Sequence, residues 1–427
     1  MTGSTPTQRA IAAVWKIESA RLIAGLVRLV RDVGTAEEIA QDAFVAALAQ
    51  WPESGIPQNP GAWLMATAKH RAIDHVRRDR RLREVHGNLM RARESRGPED
   101  GGSRAAEAKL DGAVEDDLLR LVFTACHPAL SGESRAAITL RLLCGLTTAE
   151  IARAFLVPEA TIAQRIVRAK RTLAERRIAF EVPAGPELSE RLASVLEVIY
   201  LLFNEGYAAT AGNEWMRPAL CDEALRLGRI LAELMPGESE VHGLVALMEI
   251  QASRNGARLD RLGRPVLLLE QDRALWDQVL IRRGLAALDR ARALAAAPGP
   301  YMLQGCIAAC HARARTPGAT DWHEIVGHYE RLSGVSPSPI IELNRAVAVA
   351  MAFGPQAGLD LVDRLVTEPA LSGYHLLPGV RGDFLFKLGR CAEARGEFER
   401  AASLCQNDRE KQLLLERAAA CGAAVRA

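Results

Sequence analysis

AEIARAFLVPEATIAQRIVRAKRTLAE, residues 149–175, decides how the first half of this chain is read. Ile151, Ala152 and Phe155 set one apolar stripe on a short helix, and Thr147 with Glu150 three residues on can form a capping box at its start. Pro158 holds Val157 extended and suits the first turn of a new helix. In that second helix Ile162, Ile166, Ala169 and Leu173 recur at i, i+4, i+7 and i+11, a single buried face. Opposite them stand Thr161, Gln164, Arg165, Arg168 and Arg171. A short support helix, a tight turn and a second helix offering polar and cationic side chains is the pattern of a helix-turn-helix. Arg can take guanine in bidentate fashion and Gln adenine, while further cations hold phosphate. The plain alternative is a basic, solvated surface helix. The support helix, the turn and the surrounding charge favour DNA.

Net charge over the 427 residues is only +2, but it is unevenly spread. From Lys69 to Arg96 ten Lys/Arg stand against four acids, and from Arg153 to Arg177 seven stand against two. Beyond about Glu187 the signs mix. Two basic islands in the front of the chain are the footprint of a nucleic-acid-binding half. Runs of alternating β-branched and aromatic residues are few, so the expected fold class is all-α. No apolar run approaches the roughly 20 residues that span a bilayer. The N-terminus lacks the pattern of a signal peptide, which makes a cytoplasmic location the expectation and the eight scattered cysteines thiols. There is no P-loop, GxGxxG or GxSxG motif, so neither catalysis nor a cofactor is expected. In WHEIVGHY, His323 and His328 diverge by about 140° around a helix, unsuited to sharing a metal. Cys306, Cys310 and His311 of CIAACH read as small core packing, and no metal site is expected.

Four parts follow along the chain. Residues 9–95 carry a helical period broken by the loop WPESGIPQNPGAW, 96–115 read as a polar linker, 116–180 are again helical, and 188–427 read as stacked helical hairpins. NRAVAVAMAFGPQAGLDLVDRLV (from Asn344) and VRGDFLFKLGRCAEARGEFERAA (from Val380) place Gly354 against Gly389 and Ala357 against Ala392, 35 residues apart. A helix ending in Gly, then one opening on small residues, at a period near 34, is a tetratricopeptide-type (TPR) unit. Earlier segments match only loosely, so strict repeats and irregular hairpins both stand. YLLFNEGY (200–207) also has two readings, a first solenoid helix ended by Gly206 or a lining of aromatics, Asn204 and Glu205 for a pocket.

LTTAEIARAFLVPEATIAQRIVRAKRTL resembles region four of extracytoplasmic-function (ECF) sigma factors, whose helix-turn-helix binds the −35 promoter element. GTAEEIAQDAFVAAL is similar to the region-two helix that docks on the clamp helices of RNA polymerase's largest subunit. PGAWLMATAKHRAIDHVRRDRR is similar to the helix that opens and reads the −10 element. The resemblance covers residues 10–178 in the family's order, and the tail resembles the subgroup with a C-terminal TPR-like extension. It implies −35 contacts from Thr161, Gln164, Arg165, Arg168 and Arg171, and core-polymerase contacts from Glu37, Glu38 and Gln41, with Phe44 packing inside. For the −10 element it implies Asn59, Trp63, Lys69, His70, Arg71, Arg77, Arg78 and Arg80, with Trp63 and Ile73 buried and the cations along the strand. Asn59 is the most suitable base-capturing side chain of its loop, a solvated loop residue being the other reading. The implied partners are the polymerase core (clamp helices and the second subunit's flap), promoter DNA and a small soluble regulatory protein on the solenoid, with no membrane. Regulation within the chain, in place of a membrane-bound anti-sigma protein, follows for that subgroup. Glu38 stands where the family often has Asp, His70 where Asn is common, and Leu156 where Gly often fills the turn. A conventional helix-turn-helix activator with a solenoid sensor is the competing reading, and it leaves AEEIAQDAF unexplained.

Overall fold

The computed structural model describes residues 6–90, 114–155, 157–209 and 214–424, with the side chains at 6–9, 79–80, 82–90, 114–115 and 423–424 outside the description. Among the described residues there are eighteen α-helices and no strand, the all-α class read from the patterning. The chain divides into two compact units, Met1–Val198 and Ile199–Ala427.

The first unit is built on α1 (Pro6–Val30), which packs on α2 (Val33–Ser54), α3 (Pro60–Met90) and α4 (Val114–Ala125). Asp32 caps α2 by accepting the Thr35 N–H at 2.7 Å, and Gly55, at φ 82°, ends it. Trp51 is buried at that end, edge-on to Trp63 with ring centroids 5.2 Å apart. Next come α5 (Gly132–Leu143), α6 (Thr148–Phe155) and α7 (Glu159–Glu175). The last of these packs on α5, α6 and the start of α2, so both halves expected in the front of the chain share one compact body. The opening of α8 (Pro186–Tyr207) is tied in by Arg191, which donates to the Phe123 carbonyl at 3.3 Å, and by Ser194, which donates to that of Cys126 at 2.6 Å. Leu156 and the expected linker up to residue 113 lie outside the described residues.

The second unit runs from Ile199 through α9 (Pro218–Leu234), α10 (Ser239–Ala252), α11 (Gln278–Leu294), α12 (Pro300–Arg313), α13 (Trp322–Val335), α14 (Pro339–Phe353), α15 (Pro355–Leu365), α16 (Leu376–Lys387), α17 (Cys391–Leu404) and α18 (Asp408–Ala424). From α12 onward each helix packs on the next. Gly354 (φ 99°) and Gly389 (φ 77°) close the first helices of the last two hairpins in a conformation that side chains resist, so the 35-residue match corresponds to one structural repeat. These hairpins share a core centred on Phe384 and Phe398. The regular pattern stops upstream, where residues 253–277, carrying three short 3-10 turns, stand between α10 and α11. Repeats at one end and irregular hairpins at the other reconcile the two readings. Gly206 does not end its helix. A Cβ there would lie 2.5 Å from the Cys221 backbone nitrogen, so this glycine lets α8 and α9 touch.

Candidate nucleic-acid interface

The capping box at the start of α6 forms as its sequence suggests. Thr147 Oγ1 accepts the Glu150 N–H at 3.1 Å, and Glu150 Oε2 accepts the Thr147 N–H at 2.8 Å. Pro158 N-caps α7, whose Ile162, Ile166, Ala169 and Leu173 are buried as one face. On the other side Gln164, Arg168 and Arg171 are exposed, and Thr161 and Arg165 half-buried. Arg165 pairs with Glu133 at 2.7 Å and Arg171 with Glu175 at 2.6 Å. Both acids are well exposed, so solvent screens their side of each pair. Among the described residues Arg168 has no carboxylate in ion-pair range.

The three side chains expected to meet polymerase are placed unequally. Glu38 is exposed and Gln41 half-buried, but Glu37 is only 3% exposed. Its Oε1 accepts from Arg141 Nε at 2.6 Å and from Gln41 Nε2 at 2.5 Å, while Lys170 Nζ stands 2.5 Å from Oε2 as an ion pair. Glu37 therefore ties α2 to α5 and α7. No pattern within one helix announces this, because the two cations come from residues more than a hundred positions away.

On α3, Leu64, Ala68 and Ala72 form the buried stripe at four-residue steps. Ile73, expected in the core, is instead 43% exposed, since it falls one position, about 100°, round the helix from Ala72. Trp63 is half-buried on Trp51, and Phe44 is half-buried with its ring centroid 4.7 Å from that of Trp15. Lys69 is half-buried, while His70, Arg71, Arg77 and Arg78 are exposed. Arg71 pairs with Asp42 at 3.1 Å, and His70 Nδ1 bonds the Ala66 carbonyl at 2.8 Å, which leaves Nε2 unused by that bond. The side chain of Arg80 lies outside the described residues. Asn59 Oδ1 accepts the Ala62 N–H at 3.0 Å and so caps α3, with its amide nitrogen uncommitted by that bond.

The Sigma-70 region 2 profile matches residues 18–82, and that of Sigma-70, region 4 matches 120–173. The ECF RNA polymerase sigma factor SigK of Mycobacterium tuberculosis is 30% identical over 167 residues, 39% of this chain and 84% of that protein. The probable RNA polymerase sigma-C factor of Mycobacterium bovis is 30% identical over 151 residues, 34% and 72% of the two chains. The chain belongs to the extracytoplasmic-function sigma-70 family. Its extension is covered over residues 191–292 by a family of unknown function (DUF6596). A protein of Rhizobium meliloti (strain 1021), named only as the uncharacterized protein R00370, shares 45% identity over 386 residues, 90% of this sigma factor and 89% of its own length.

No helix among the sigma factor's described residues is long and apolar enough to cross a membrane, and all eight cysteines are free thiols. Among the described residues, two donor triplets that the spacing of residues did not reveal lie in the extension, Cys310–Glu324–His328 and His375–Cys405–Glu410, each within 4.8 Å. In the first, Arg331 donates to His328 Nδ1 at 3.1 Å. The neutral ring then carries its proton on Nε2, 3.4 Å from Glu324. Burial and then the Glu324 charge push the Cys310 thiol up to about 12. His323 turns away, edge-on to Phe353 at 5.1 Å.

Proposed function

We propose that this sigma factor joins RNA polymerase core in the cytoplasm and directs it to promoters with −35 and −10 elements. Helix α7 reads the −35 element through Thr161, Gln164, Arg165, Arg168 and Arg171. Helix α3 and its leading loop open the −10 element through Asn59, Trp63, Lys69, His70, Arg71, Arg77, Arg78 and Arg80. Glu38 and Gln41, and Glu37 once released, meet the polymerase core, and the C-terminal unit regulates the whole. The chain makes and breaks no bonds; its work is the differential binding of DNA states. The single observation that carries this reading is the α6–α7 pair, a capped support helix holding an outward face with exposed Gln164 and Arg168.

Distance adds a conformational requirement. The two elements are named for positions about 25 base pairs apart, roughly 85 Å at 3.4 Å per step. A compact body of 198 residues is only about 40 Å across. Both reading surfaces therefore reach one promoter only after α7 leaves α2, which requires Arg141 and Lys170 to release Glu37. That release also exposes Glu37 to polymerase.

The test is gel filtration of the full chain with purified core polymerase, followed by a duplex-binding assay without polymerase. Co-migration with core and weak duplex binding alone support the proposal. Tight, sequence-specific duplex binding without any core association would mean a conventional activator.

A further inference from the structure

A cavity of about 260 Å³ opens in the second unit between α10, α12, α13 and α14, bordered by the irregular 253–277 segment. Most of its wall is aliphatic or aromatic, and its lining contains one formal cation and no carboxylate. That cation, Arg254, has no acid within ion-pair range among the described residues. Its guanidinium lies 5.6 Å from the Tyr207 ring centroid and 5.9 Å from that of Trp276. A second guanidinium, Arg273, stands 4.8 Å from Trp276 and directs its donors to the carbonyls of His311 and Ala314 and the Thr320 hydroxyl, and among the described residues it too has no acid in ion-pair range. The positive field is felt locally. Burial, then Arg254 and Arg273, push the His311 imidazole down to about 4, which leaves this wall residue neutral at ordinary pH.

Two buried polar atoms in the wall also lack partners, Trp276 Nε1 and His311 Nδ1. Buried polar groups in native proteins are nearly always bonded, and unpaired ones gathered at a cavity point to something that completes them. On the opposite wall Tyr200 donates to Gln304 Oε1 at 2.9 Å, which fixes a polar edge among apolar neighbours. At about 30 Å³ per water the space equals roughly nine waters, the size of one ring or a short chain bearing one acidic group. Small-molecule sites have this character, with mostly apolar walls and few oriented polar groups.

We propose that this cavity binds a small amphipathic anion, its carboxylate or phosphate on Arg254 beneath Trp276 and its apolar body against the aliphatic wall. Nothing in this depends on promoter recognition, so the test needs neither DNA nor polymerase, and its failure leaves the sigma reading untouched. Titration calorimetry of the full chain would compare phenylacetate and phenyl phosphate with the neutral phenylacetamide. At least one anion should bind, and the amide at least about tenfold more weakly, about 1.4 kcal/mol. Which of the two anions binds more tightly distinguishes carboxylate from phosphate. Arg254→Met should weaken the anion about tenfold or more while Arg254→Lys retains most of the affinity, and Ala308→Trp, which fills the space from α12, should abolish it. Circular dichroism checks that each variant folds. No heat from either anion at concentrations of about 10 mM, equal binding of acid and amide, or wild-type affinity in Arg254→Met would overturn the proposal.

Discussion

Removing the charge of Glu37 leaves Arg141 and Lys170 facing a neutral amide inside the first unit. Losing one partner of a buried pair typically costs several kcal/mol, and these two cations keep about a fifth to a quarter of their side chains in water, so Glu37→Gln should destabilise by about 2–4 kcal/mol. Urea unfolding followed through Trp15, Trp51 and Trp63 checks this, and an unchanged midpoint would make the tie ornamental. His311 gives a second residue-level expectation. Its folded pKa, near 4, lies below the ordinary 6.5, so between those values the unfolded chain binds the extra proton. Stability from this group is therefore complete above about pH 6.5 and lost as the pH falls toward 4, by up to about 3 kcal/mol. Burial holds His127 and His328 low too, with the same sign. Urea midpoints at about pH 7 and 4.5 should differ less in His311→Asn than in the wild type; an equal difference would show that His311 does not contribute. Neither residue could be understood from its neighbours in sequence. Glu37 reads as one acid on an amphipathic helix, and only the approach of α5 and α7 turns it inward.

Helices were legible wherever their determinants were local. The α6–α7 pair follows from a capping box, a proline and a four-residue apolar stripe, all within one short stretch, and those contacts form. The last hairpins were equally plain because Gly354 and Gly389 mark the same turn twice. Ile73 is apolar and invites a core reading, but the buried stripe of α3 runs through Leu64, Ala68 and Ala72 and leaves Ile73 about 100° away from it. The 253–277 segment has no repeating pattern, and its part in a cavity depends on helices far along the chain. Close helix crossings provide a test. A Cβ on Gly358 would lie 2.5 Å from Ala350 Cβ and 2.9 Å from the Ala346 carbonyl oxygen, so α14 and α15 must separate to admit it. Gly358→Ala should cost about 1–3 kcal/mol. Gly327→Ala on α13, where nothing lies within 4 Å, should instead gain about 0.5–1 kcal/mol. Thermal unfolding of the two variants should shift in opposite directions, and a common direction would contradict the crossing.

For the whole molecule, two basic islands and two motifs in the family's order made the front half readable, whereas the role of the extension was not. Its sequence shows helices that stack, but the charge imbalance around Arg254 exists only after folding. The proposal places both reading surfaces in the compact front unit, a body too small to span a promoter, and therefore links recognition to an opening of that unit. The most direct measurement is transcription from a genomic fragment library by core polymerase with the full chain, start sites mapped by sequencing, repeated with Gln164→Ala/Arg168→Ala. Discrete starts preceded by a shared −35 and −10 pair are expected. Loss of one good base contact costs about 1–3 kcal/mol, so the double variant should lower output from those starts about tenfold or more. Starts that lack a shared pair, or that persist unchanged in the variant, would contradict promoter reading by α7.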